Sequence, residues 1–120
     1  MNKINLEFTS QQAGVLIPLI NNDICWLYQW AELTCSETYT KEIKFLDEMI
    51  MLLRDGLVME LDIIISVPET FQMALLRLSI TVMIARERAR NAEDYELYDK
   101  IFQVIADGYR RFGGVANERY

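Results

Sequence analysis

The chain contains no histidine, and only two cysteines, two prolines and five glycines among its 120 residues. Without histidine, Ser/His/Asp and Cys/His catalytic systems are impossible, and so is any zinc site that needs an imidazole. Two cysteines cannot form a four-cysteine zinc site within one chain. Little proline and glycine together with 52% hydrophobic residues exclude an intrinsically disordered protein. These absences predict a folded, non-enzymatic protein without a cofactor.

Long apolar runs are also absent. No stretch reaches the roughly 18 uncharged apolar residues that a membrane span requires, and the closest candidate, residues 78–85, is bracketed by Arg77 and Arg86. The missing apolar span predicts no membrane partner. With two cysteines, no CxxC pair and no secretory signal, the chain is expected to be cytoplasmic with reduced thiols. Free cysteines are most often buried, which we expect for Cys25 and Cys35.

The charge is acidic and unevenly distributed. The net charge is −6, with four basic and nine acidic residues in positions 1–60 and eight basic and nine acidic residues in positions 61–120. A protein that mainly neutralises phosphate needs clustered Lys and Arg. The balance therefore argues against nucleic acid as the main partner, and any anionic partner would meet the second half.

Apolar periodicity predicts a mainly helical, single-domain bundle of about five helices over residues 1–114, with a loose tail over 115–120. Asn21-Asn22-Asp23 is typical of a turn between the first two helices. Gly56 is placed to end the third helix as a left-handed cap, and Asn91 to cap the fifth. The predicted helices span residues 10–21, 24–34, 38–54, 68–90 with Pro68 in the first helical position, and 92 to about 113.

Two segments have an alternating pattern that favours strand. Apolar residues alternate with polar ones in residues 4–8, and Thr9 with Gln12 forms the sequence of a helix capping box. The segment 57–67 also alternates, but its residue types are divided between strand and helix formers. We therefore keep two alternatives, a helix or a small two-stranded ribbon of residues 4–8 and 57–65. Pro18 either kinks the first helix or shortens it.

The second predicted helix carries more apolar surface than one packing face needs. Beyond the face that can pack inward, Trp26, Trp30 and Leu33 form a second face. Aromatic side chains of this kind are enriched at interface hot spots. We interpret this face as a partner-binding surface, with a homodimer as the expected assembly. The alternative is cover by the strand at residues 4–8 or by the segment 57–67.

The fourth predicted helix is apolar on two sides, with one stripe running from Phe71 to Val82 and another from Met73 to Ile84. A helix that is apolar all round must be buried all round. We therefore expect this helix to lie at the centre of the domain. The protein would then be a small cytoplasmic interaction or regulatory protein, bacterial or phage-encoded.

An alternative function is a nucleic-acid-associated regulator that uses Arg86, Arg90, Arg110 and Arg111. All four lie near the ends of the last two predicted helices, where cations also stabilise the helix dipole. Antiparallel packing of the two helices would place the two pairs at opposite poles. This geometry counts against a single basic patch.

A third, less favoured function is a Mg²⁺-dependent nucleotide hydrolase. Glu93, Glu96 and Asp99 share one helix face, and their spacing is similar to half of the acidic motif in all-helical nucleotide pyrophosphohydrolases of the MazG type. That motif pairs one ExxE helix with a later ExxD helix, and the chain has no matching earlier pair. The acids also suit a solvated first helical turn, so no metal is expected.

Overall fold

The computed structural model of the protein describes residues 3–117, with side chains described for residues 3–112. The chain is mainly helical with a small two-stranded antiparallel sheet. The expected count of about five helices is slightly wrong, because the described range holds four α-helices and one 3-10 turn. In chain order the elements are β1 (Lys3–Phe8), α1 (Ser10–Thr34), α2 (Glu37–Met59), β2 (Ile63–Pro68), the 3-10 turn (Glu69–Phe71), α3 (Gln72–Glu87) and α4 (Ala92–Asn117).

Contacts divide the chain into two compact units. We call residues 9–63 the hairpin unit and residues 1–8 with 64–120 the sheet unit. The single domain over residues 1–114 and the loose tail over 115–120 stay predictions. Helix α4 continues to Asn117, past the end expected near Gly113, and residues 118–120 lie outside the described residues.

In the hairpin unit, α1 begins at the predicted capping box. The Thr9 hydroxyl accepts from the Gln12 N–H at 3.1 Å, and the Gln12 side chain accepts from the Thr9 N–H at 2.9 Å. The predicted turn at residues 21–23 is wrong, because α1 runs through it and also through Pro18. Asp23 is itself buried, so packing of one continuous face against α2 outweighs the local turn signal.

Helix α2 extends five residues past its predicted end at Arg54. Gly56 lies inside the helix, and Glu60 adopts the left-handed conformation at the C-cap, with φ 54°. Gly56 is buried, and a Cβ there would overlap the Ile63 side chain. Close packing, not a turn, thus accounts for this glycine. Residues 57–59 are helical, and the second strand starts at Ile63 instead of residue 57.

The sheet is held by apolar residues on alternate positions of both strands. In β1 the side chains of Ile4, Leu6 and Phe8 are buried, while those between them are exposed. Helix α4 packs on β1 at Gly108, where a Cβ would lie 2.5 Å from Leu6 Cδ2. A two-stranded sheet is stable only when its apolar face is covered. Helix α4 supplies that cover for β1.

Helix α3 is shorter than predicted, and Pro68 does not begin it. Pro68 ends β2, a 3-10 turn follows, and α3 starts at Gln72 and ends at Glu87. Val67, the residue before Pro68, is buried as part of β2. A proline is also suited to the end of an edge strand, so Pro68 ends β2 instead of beginning α3. Helix α3 then packs against α4 and the 3-10 turn.

The start of α4 is confirmed. The Asn91 side-chain oxygen accepts from the Asp94 N–H at 2.8 Å, as expected for an N-cap. Ile101 and Ile105, on the predicted packing face, are fully buried. A four-residue link between α3 and α4 makes the two helices antiparallel neighbours.

Candidate protein-interaction surface

The C-terminal half of α1 presents Trp26, Trp30 and Leu33, which we call the aromatic face. Their exposed fractions are 57%, 49% and 77%. At 100° per residue the three lie on one side of α1, about 100° around the axis from its buried face. The described residues thus leave about half or more of each side chain open to solvent. Among the described residues, neither the strand at residues 4–8 nor the segment 57–67 buries the two tryptophans.

The aromatic face stands on a fully formed helix end. The Thr34 hydroxyl donates to the Trp30 carbonyl at 2.7 Å, and the Cys35 N–H donates to the Ala31 carbonyl at 2.8 Å. Cys35 adopts the left-handed conformation that closes the last turn. On the inward side, Ile24 and Leu27 are buried. Packing on one side and capping at the end therefore fix the direction of the aromatic face.

Tyr28 and the two cysteines lie away from the aromatic face. Tyr28, 54% exposed, lies two residues from Trp30 and therefore about 160° around the helix. The expectation that Cys25 and Cys35 are buried is wrong, because both are free and exposed. Cys25 falls on the outward side of α1, and Cys35 falls in the link to α2. Neither position faces a core.

A second group of exposed apolar side chains, missed from the sequence, lies on two sides of the C-terminal part of α2 and just after it. Their exposed fractions are between 46% and 79%. The ambiguity of segment 57–67 concealed it, since a strand would have turned alternate residues inward. Helical periodicity extended through residue 59 would have shown the surplus of apolar side chains. Its members are Met51, Leu52, Val58, Met59 and Leu61.

Helix α3 has one buried and one exposed apolar side. Leu75, Leu78 and Val82 are buried, whereas on the opposite side Met73, Ile80, Met83 and Ile84 are exposed and Leu76 is half-buried. The expectation of a central helix buried all round is therefore wrong. Within its unit, α3 packs on α4 and the 3-10 turn, and these cover a single side.

Arg86 joins α3 to α4 and is not available as part of a basic patch. Its Nη1 lies 2.7 Å from Asp99 Oδ1, and its Nη2 lies 3.0 Å from the Glu87 carboxylate. The guanidinium also stacks over Phe102, with its carbon 4.8 Å from the ring centre, and over Tyr95 at 5.6 Å. The hydrogen bond to Asp99 raises the pKa of Arg86, so the charged form is held in place.

Arg110 and Arg111 do not gather around Arg86. Arg110 pairs with Asp107, and Arg111 Nη2 donates to the Asn5 carbonyl of β1 at 2.9 Å. Arg90 is exposed just before α4. Between the start of α4 and Arg110 the helix rises by about 27 Å. As expected from antiparallel packing, the structure does not bring the two pairs together.

The acidic residues at the start of α4 are engaged with basic ones. Asp99 accepts from Arg86, and the Glu96 carboxylate lies 3.3 Å from Lys100 Nζ. Glu93 is exposed in the first turn of the helix. Across the described residues no group of three or more Cys, Asp or Glu is placed to hold a metal ion. The arrangement matches ion pairs on a helix surface.

Comparison with protein-family models, curated proteins and solved structures found no match. None of the described helices combines the length and apolar character needed to cross a membrane. The main feature of the described surface is exposed apolar area on well-formed helices.

Proposed function

We propose that the protein is a small non-enzymatic interaction or regulatory protein that self-associates as a homodimer through the aromatic face. The observation that supports this is the exposure of Trp26 and Trp30, at 57% and 49%, on a capped helix. Contiguous exposed apolar surface on a folded protein marks interaction sites, and tryptophan is the residue most enriched at their energetic centres. A two-fold homodimer is the commonest assembly of soluble proteins.

The competing functions have less support. The guanidinium groups of Arg86, Arg110 and Arg111 make contacts within the chain, so a nucleic-acid site would depend mainly on Arg90. Hydrolysis by carboxylates would need acids converging from facing helices, whereas Glu96 and Asp99 are paired with cations. No specific observation favours either function over association through the aromatic face.

Light scattering after size-exclusion chromatography, over a concentration series, tests the proposal. We expect a dimer for the unmodified chain and at least a roughly 30-fold weaker dimer for Trp30→Asp, which corresponds to a hot-spot loss of about 2 kcal/mol. Tyr28→Asp is the matched control, because Tyr28 is similarly exposed on the same helix but points elsewhere. A monomer at all concentrations, or equal effects of the two variants, would refute the proposal.

A further inference from the structure

Helix α1 carries far fewer charged residues than the other long helices. Its 25 residues include two, Asp23 and Glu32, whereas α2 has eight among 23 and α4 has eight among 26. Asp23 is buried, so Glu32 is the one charged residue among the exposed, described side chains of α1. Charged residues are depleted at the core of protein interfaces. The exposed side of α1 therefore has the composition of an interface core.

The aromatic face continues by one turn towards the N-terminus of α1. Asn22 is exposed and falls within about 80° of the aromatic face around the helix axis. Further back on the same side, Leu19 is half-buried. The open part of this side thus extends over about 16 Å. We call it the α1 stripe, and its members are Asn22, Trp26, Trp30 and Leu33.

A second copy of the chain is the partner that the α1 stripe fits. Each copy has a net charge of −6, so two copies repel one another wherever their acidic surfaces meet. Glu32 lies about 100° around the helix from Leu33, so contact along the α1 stripe keeps this carboxylate out of the seam. Energetic centres of an interface also tend to pair with those of the partner, and a second copy offers the same two tryptophans.

The C-terminal end of α1 favours an antiparallel orientation of the two helices. This end carries a partial negative charge, and α1 has no basic residue in its last turn to offset it. A parallel pair would set the two ends side by side, together with the exposed Glu32 and Glu37 of both copies. An antiparallel pair that overlaps along the α1 stripe separates the two ends by about 20 Å along the axis.

We propose that the homodimer forms by antiparallel packing of α1 on α1 along the α1 stripe. The inference rests on the proposed function and specifies its contacts. Full overlap of the stripe places the two-fold axis at the level of residues 27–28 and pairs residues whose numbers sum to about 55. Leu33 of one copy then lies on Asn22 of the other, and Trp26 of one copy lies beside Trp30 of the other. Two-fold symmetry repeats each contact, so four tryptophans form the centre of the interface.

A charge swap tests the orientation by sedimentation over a dilution series. Asn22→Lys and Leu33→Glu are each expected to raise the dissociation constant of the dimer at least about tenfold. In the antiparallel pair the two new side chains face one another across the seam. The double variant should therefore dimerise at least about fivefold more tightly than Leu33→Glu alone.

The neighbouring asparagine provides the matched control for the charge swap. Asn21 is also exposed, but it lies about 100° around the helix from Asn22, on the side away from the α1 stripe. Asn21→Lys combined with Leu33→Glu has the same net charge as the swap and should give no recovery. A swap no tighter than this control, or either single variant of the swap without effect, would overturn the inference.

Crosslinking measures the orientation directly. Asn22→Cys and Leu33→Cys are placed on separate, differently tagged chains. Both chains also carry Cys25→Ser and Cys35→Ser, and the mixture is treated with a short bismaleimide. We expect a crosslink between the two different chains. A crosslink of Leu33→Cys to itself, or a dimer without the mixed crosslink, would overturn the antiparallel arrangement and leave the proposed homodimer in place. An unmodified chain that stays monomeric would instead overturn the proposed function.

Discussion

Replacing Gly108 with alanine tests how closely α4 packs on β1. A Cβ at this position would lie 2.5 Å from Leu6 Cδ2 and 2.8 Å from Ile4 Cδ1. Carbon atoms in contact normally lie about 3.5 to 4.0 Å apart. The two methyl groups would therefore have to retreat by about 1 Å. Both side chains are buried, so neither has open space to move into.

The expected loss of stability is the difference between two opposing effects. Alanine in place of glycine inside a helix contributes about 1 kcal/mol. Overpacking a filled core costs about 1 to 3 kcal/mol, and two close contacts place Gly108 near the upper end. The net loss is then about 2 kcal/mol. At Gly14 the nearest atom is Leu57 Cδ1 at 3.6 Å, so Gly14→Ala should gain about 1 kcal/mol.

Urea unfolding followed by far-ultraviolet circular dichroism measures both variants against the unmodified chain. The midpoint is expected to fall for Gly108→Ala and to rise for Gly14→Ala, with an unchanged dependence of the free energy on urea. Gly14→Ala is the control for the chemical change itself. A Gly108→Ala variant as stable as the unmodified chain, or more stable, would show that the packing of α4 on β1 is looser than described.

Two further predictions concern helix ends and the link between α3 and α4. Glu60 has φ 54° at the C-cap of α2. Glu60→Gly should therefore raise the free energy of unfolding by about 1 kcal/mol, whereas Glu60→Ala, which keeps a Cβ, should not. If urea unfolding shows a gain for both variants, backbone strain is excluded as the cause. Arg86→Met and Asp99→Asn should each lower the urea midpoint, and the double variant should lose less than the sum, because the two groups share one ion pair. Additive losses would indicate that this pair is not formed in solution.

Local signals predicted the parts of the fold that depend on a few neighbouring residues. The capping box at Thr9, the cap at Asn91 and the strand at residues 4–8 are all confirmed. In each case the donor and acceptor, or the alternating side chains, are adjacent along the chain. Such interactions are written in the sequence whatever the tertiary contacts are.

Tertiary packing decided the parts that were predicted wrongly. The turn signal at residues 21–23 is overridden because Ile20, Asp23 and Ile24 are buried on one face of the continuous helix. Gly56 is the residue type of a helix cap, but its role depends on Ile63, which packs against it. The sequence of either segment alone does not contain the contact that determines it.

The candidate surface was predictable only in part. Trp26, Trp30 and Leu33 stand out because their helix has a second apolar face, and the structure leaves that face exposed. The surface around Met59 could not be found in the same way, because it depends on α2 continuing past Gly56. The predicted end of α2 at Arg54 thus left Val58 and Met59 out of the predicted helix surface.

Along the chain, the hairpin unit is made after β1 and before most of β2, and this order has a consequence for folding. Contacts between α1 and α2 are local along the chain, whereas β1 meets β2 only after residues 9–62 have been made. Local contacts form fastest. At synthesis rates of about 5 to 20 residues per second, β1 waits roughly 3 to 11 seconds for its partner strand. During that time the apolar residues of β1 are unpaired on the nascent chain, so the sheet unit is the last part to form and the most exposed to misassembly.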